Sequence, residues 1–169
     1  MVDESRARRA LRHLFFPRGR VRSAFPAETL ARIEGAIKKA ETAHRAELRF
    51  AVEGGLDVLP LWRRLTPRAR AIALFSELRV WDTAENSGVL IYVQLADHCI
   101  EIVADRGIAA CVPQSEWENV CRHMEAAFRE GRFEAGTIYG IETVSTVLSR
   151  HFPSVGGGVN ELPDRPVIV

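Results

Sequence analysis

The stretch AENSGVLIYVQLADHCIEIVADRG, residues 84–107, decides the fold. Two runs, Gly88–Leu95 and His98–Asp105, flank Ala96-Asp97, a break short enough for a hairpin turn. The first run is almost wholly apolar, as expected of a central strand covered on both faces. A reversal centred on 96 and 97 pairs positions whose numbers sum to about 193. Gly88 then faces Asp105, and Asn86 faces Gly107. Neighbouring strands lie ~4.8 Å apart, so the loops at the open end must meet. Asp82, Glu85 and Asn86 are thereby expected beside Asp105 and Arg106.

Working outward, residues 5–16 read as a short basic helix with Ala7, Leu11, Leu14 and Phe15 on one face, ended by Pro17 and Gly19. A second helix starts at Pro26, with Leu30, Ile33, Ile37, Ala40 and His44 as its inward stripe. ELRFAVE, residues 47–53, alternates Leu48, Phe50 and Val52 with Glu47, Arg49 and Glu53, the pattern of a strand with one covered face. Thr66-Pro67 starts a helix to about Arg79 that buries Ile72, Phe75 and Leu78. Ser115 and Glu118 form a capping box for a helix to about Arg129, with Trp117, Val120, Cys121, Met124 and Phe128 inside. A last helix over about 134–151 uses Ile138, Ile141, Val144, Ser145 and Leu148. The order α, α, β, α, β, β, α, α makes an α/β/α sandwich with a small mixed sheet, its first strand parallel to Gly88–Leu95. Three parts follow: a basic amphipathic helix over 1–22, the sandwich over 23–152, and a Gly/Pro-rich tail over 153–169.

The 169 residues, 47% hydrophobic and 27% charged, suit one globular unit with a real core. The net charge of +1 gives no reason to expect nucleic acid, and the aromatics are too clustered for a stacking groove. Charge is uneven, however: residues 1–22 hold seven arginines against Asp3 and Glu4. Three cysteines without CxxC spacing, and an N-terminus whose apolar residues are broken by arginines, make the cytoplasm the expected location. The basic helix over 5–16 either docks on the acidic remainder of the chain or lies peripherally on the inner membrane surface. The tail is either a disordered terminus or an extended arm that adds to the sheet edge of a protein partner.

Asp82, Glu85, Asn86 and Asp105 offer oxygen ligands on loops, a set that suits a hard cation such as calcium. The competing reading has them capping helix and strand ends, with Asp105 paired to an arginine. Zinc would require Cys99, Cys111, Cys121, His98 or His123 to converge, and Cys121 with His123 point to different sides of their helix. His44 packs or caps at its helix end, and Trp62, Trp81 and Trp117 are read as core. No GxSxG, P-loop or HExxH is present, and six residues separate Cys99 from Arg106, one too many for a cysteine phosphatase loop. A metal-activated water at the acidic end is the enzymatic alternative.

NSGVLIYVQLADHCIEIVADRGI resembles the signature of the TPM domain family, in which a strand opening N-N-G-V-L-L is followed by a short Asp-containing turn and a second strand ending in a Gly-rich loop. LFSELRVWD resembles the family's preceding helix, and REGRFEAGTIYGI its F-x-x-G-x-Y-x-x-G-I segment. Asn86, Gly88, Asp97 and Gly107 match the pattern, whereas Asp105 and Arg106 stand where the family has a glycine and a tyrosine. The resemblance implies an α/β/α sandwich over about 26–152 and, from what is reported of some members, calcium binding or weak acid phosphatase activity. The expected protein is accordingly an accessory or interaction module. Asp82, Glu85, Asn86 and Asp105 would hold the cation, Arg106 and Gly107 would meet an anionic ligand, and the alternative is a metal-dependent phosphatase at the same place.

Overall fold

The computed structural model describes residues 2–17, 19–56, 65–156 and 159–169, with side chains from residue 8 onward. In chain order the elements are α1 (Val2–Leu14), α2 (Gly19–Ala24), α3 (Ala27–Glu41), β1 (Glu47–Glu53), α4 (Pro67–Glu77), β2 (Gly88–Gln94), β3 (Cys99–Ala104), α5 (Arg106–Ala109), α6 (Gln114–Arg129), α7 (Phe133–His151) and β4 (Val167–Ile168). The sheet runs β3-β2-β1-β4. β2 and β3 are antiparallel with Val89 opposite Ala104, the register expected from the turn, and β1 is parallel to β2 with Glu47 beside Gly88.

Because β-strand side chains alternate, each strand feeds two cores. Leu48, Phe50, Val52, Val89, Ile91, Val93, Ile100 and Ile102 pack on one side with α3, α6 and α7. Ala51, Leu90, Tyr92 and Val103 pack on the other against Ala71, Leu74 and Phe75 of α4 and Leu162 of the tail. The result is the expected three-layer α/β/α sandwich.

Several expectations are corrected. β1 is buried along all seven residues, its charged side included, because α4 and the returning tail cover the second face. Glu53 is held there by Arg70 at 3.0 Å and by the Tyr92 hydroxyl, while Glu47 accepts from the Leu162 amide at 3.0 Å. The tail is not a free arm: Val167 and Ile168 pair parallel with Ala51 and Val52 of the chain's own β1. α4 turns Ala71, Leu74 and Phe75 inward, leaving Ile72 48% exposed, and Trp81 is exposed to the same degree. Trp117 is buried as expected. α6 begins without the Ser115–Glu118 capping box, since Pro113 takes the cap position. α2 was not foreseen in the Pro17–Pro26 interval, and α5 replaces the expected loop after β3. Trp62 and the side chain of Ala7 lie outside the described residues. Among the described residues no helix is long and apolar enough to cross a membrane.

Candidate functional site at the acidic end of the sheet

The hairpin register joins the two loops at the open end. The Asp105 amide donates to the Gly88 carbonyl at 2.9 Å and the Gly107 amide to the Asn86 carbonyl at 3.0 Å. Asn86 adopts φ +52°, a left-handed conformation that asparagine tolerates, and its Oδ1 accepts from Arg106 Nη2 at 3.1 Å. The approach is tight: a Cβ on Gly107 would lie 2.7 Å from the carbonyl oxygens of both Glu85 and Asn86. Asp105 caps α5, its Oδ1 accepting from the Arg106 amide at 2.7 Å, while its buried Oδ2 has no hydrogen-bond partner among the described residues.

The expected ligands are therefore only partly gathered. Asn86, Asp105, Arg106 and Gly107 share one corner. Glu85 is held by Arg45 at 2.6 Å and Asp82 by Arg79 at 2.5 Å, both in exposed ion pairs. Among the described residues no three His, Cys, Asp or Glu side chains form a group able to hold a metal ion.

Beside this corner lies a cleft of about 840 Å³ lined by Glu41, His44, Glu47, Glu85, Glu161 and Asp164, with Lys38 and Arg45 at its basic side. Sequence reading missed most of it. Parallel pairing puts Glu47 at the same sheet end as Gly88, a signal the register contains; Glu161 and Asp164 reach the cleft through a tail with no periodicity to place them. Each carboxylate ties down a neighbour: Glu41 accepts from the Leu48 amide at 2.7 Å, Glu161 from the Ala84 amide at 2.9 Å, and Asp164 from Asn160 at 2.7 Å. Burial pushes the Glu41 carboxyl up to about 8, helped by the charges of Glu47 and Asp164 and opposed by the Leu48 amide. Burial likewise raises Glu47 and lowers His44, whose Nδ1 faces the Ala46 carbonyl at 3.0 Å.

With this geometry in view, comparison with known proteins decides the family: the TPM domain pattern matches residues 22–147, most of the chain. The chain belongs to the TPM domain family. It is similar to the BA42 protein of the psychrophilic bacterium Bizionia argentinensis, with 29% identity over 86% of this chain and 95% of that one and a TM-score of 0.72. The N-terminal domain of a P. gingivalis protein shares the fold at 14% identity, covering 82% of this chain and 94% of that domain, with a TM-score of 0.60. No curated protein matches the chain.

Each residue that matches the TPM signature has a mechanical role here. Asn86 supplies the left-handed turn, and Gly107 allows the two loops to touch. Gly88 lets β2 pass Val80, whose carbonyl oxygen would be 1.8 Å from an added Cβ. Asp97 works at the opposite end of the sheet. Its side chain, 7% exposed, accepts from Arg9 at 2.7 Å and Arg12 at 2.6 Å and lies 3.0 Å from His13 Nε2. The Leu56 amide donates to His13 Nδ1 at 2.9 Å, which puts the proton on Nε2, 3.0 Å from the Asp97 carboxylate but outside hydrogen-bond geometry. In this TPM domain the hairpin turn is thus the anchor of α1.

Glu41 makes the TPM domain sensitive to alkali. Its folded value near 8 lies above its ordinary 4.5, so between these limits the folded chain keeps a proton that the unfolded chain releases. Its stabilising share is complete below 4.5 and is lost as pH rises through about 8. Glu41→Gln keeps the oxygen that serves Leu48 and stays neutral. The variant is expected to match the parent at about pH 5 and to exceed it by about 1–3 kcal/mol at about pH 9, read from urea midpoints. A parent that remains the more stable at the higher pH would show that Glu41 is ionised when folded.

Proposed function

We propose that this TPM domain is a non-enzymatic accessory module that binds a divalent cation, calcium by preference, at the corner between β2 and α5. The observation that carries the reading is the Asp105 carboxylate, 7% exposed, with an oxygen that has no hydrogen-bond partner among the described residues, where two loops meet. A buried carboxylate oxygen without a partner is costly, and a bound cation would remove that cost. Asp105 would be the charged ligand, joined by the Asn86 side chain and by loop carbonyls such as those of Glu85 and Asn86. Calcium accepts such neutral oxygens in a flexible shell, whereas zinc prefers histidine and thiolate. The exposed carboxylates of Glu85 and Asp82 could complete the shell by leaving Arg45 and Arg79, because exposed pairs hold only ~0–1 kcal/mol. Glu161 and Asp164 in the cleft alongside favour cation entry.

Thermal melting tests this reading. A ligand that binds only the folded chain at a hundredfold excess over its Kd adds ~2.7 kcal/mol, which raises Tm by roughly 5–10 °C for a chain of this size. Calcium is expected to give such a rise, and Asp105→Asn, which keeps the capping oxygen, to abolish it. A melting point indifferent to calcium, magnesium and manganese would end the proposal. Hydrolysis of a generic phosphate ester that needs metal and disappears in the same variant would favour the phosphatase alternative.

A further inference from the structure

We propose that α1 is a docking surface for anionic membrane lipid, held with its apolar face outward by the Asp97 anchor. A surface helix normally buries its apolar stripe and offers its charges to water. α1 is mounted the other way round. Arg9 and His13 turn inward to Asp97, and His13 is buried, while Leu11 is 52%, Leu14 59% and Phe15 73% exposed. These three follow one another at i, i+3 and i+4, so they form one ridge. Nothing in the described fold covers it.

Charge identifies the occupant. Arg8 and Arg12 on α1 and Arg20 and Arg22 on α2 are exposed, and Arg22 lines the same hollow as Leu14. Seven arginines against two acids concentrate positive charge in residues 1–22, although the whole chain carries only +1. A short convex apolar ridge with arginines beside it matches the boundary between acyl chains and anionic headgroups, where the rings and leucines enter and the guanidiniums stay at phosphate level. The Asp97 anchor supplies what a free amphipathic segment lacks, a fixed orientation toward the surface. The inference is independent of the cation site, which lies at the other end of the sheet.

The test is co-sedimentation of the full chain with vesicles of phosphatidylcholine containing phosphatidylserine, and with phosphatidylcholine alone. The parent is expected to pellet with the anionic vesicles, to stay in solution with the neutral ones, and to be released by salt. Leu11→Ser/Leu14→Ser/Phe15→Ser leaves the Asp97 contacts in place and should lower the bound fraction about tenfold or more; circular dichroism would show that the fold is kept. Arg8→Glu/Arg20→Glu/Arg22→Glu should do the same. Equal pelleting of parent and serine variant, or no pelleting of either, overturns the proposal. So does a parent that ignores vesicles but elutes as an oligomer which the serine variant dissolves, since the ridge would then be a contact between copies.

Discussion

Asp97→Ala is expected to free α1 and to lower the stability of the chain by about 2–4 kcal/mol. The size follows from what the carboxylate holds. Arg9 reaches it with two nitrogens and spans on to the Leu65 carbonyl at 3.1 Å, and the buried His13 directs Nε2 at it. Arg12 is about half exposed, at 48%, so water and salt screen its share and it adds little. Alanine would take the carboxylate away from a buried imidazole and leave the half-buried Arg9 guanidinium with only the Leu65 carbonyl among the described residues, the expensive way to lose an interaction. Burial acts to raise the Asp97 carboxyl, but the adjacent His13 and the hydrogen bonds from Arg9 and Arg12 outweigh it and hold the group well below its ordinary 3.8. The stabilisation is therefore complete above 3.8 and is lost as pH falls through the lowered folded value. Urea midpoints of parent and variant should converge only in strong acid, and trypsin should cut at Arg8, Arg9 and Arg12 faster in the variant. An unchanged midpoint with unchanged cleavage would mean that α1 is held by something other than the turn.

Gly88→Ala should cost still more, above ~4 kcal/mol, enough to leave little folded protein. The added methyl would sit 1.8 Å from the Val80 carbonyl oxygen, well inside contact distance. Relief requires backbone movement, and neither side can move freely. β2 is hydrogen-bonded to β1 and β3 along its length, and Val80 is fully buried with its amide bound to the Phe75 carbonyl at 2.9 Å. Gly35→Ala is the natural contrast. It lies exposed within α3 with nothing inside 4 Å of an added Cβ, so the helix should gain about 0.5–1 kcal/mol. Thermal melts that ranked these two substitutions alike would refute the steric account of Gly88.

The sequence by itself determined the hairpin, its register and the layer order. Strand alternation repeats every two residues and the turn leaves one offset at which both apolar runs share a core, so 84–107 carries its own pairing rule. The meeting of Asn86 with Gly107 and of Gly88 with Asp105 followed from that rule, and the TPM signature was readable on the same residues. The inward stripes of α3, α6 and α7 were legible too, but tertiary structure alone decided which faces of β1 and α1 were covered. The alternation in β1 implied an exposed charged side, yet Arg70, Tyr92 and the tail close over Glu47 and Glu53. The stripe on α1 was plain, but its outward orientation depends on Asp97, more than eighty residues away in the chain. The cleft likewise depends on Glu161 and Asp164 arriving from a tail with no pattern of its own. The physical reason is common to all three: a local period reports the geometry of one segment, whereas the partner that buries or frees a face is chosen by long-range packing and by the need to neutralise buried charge.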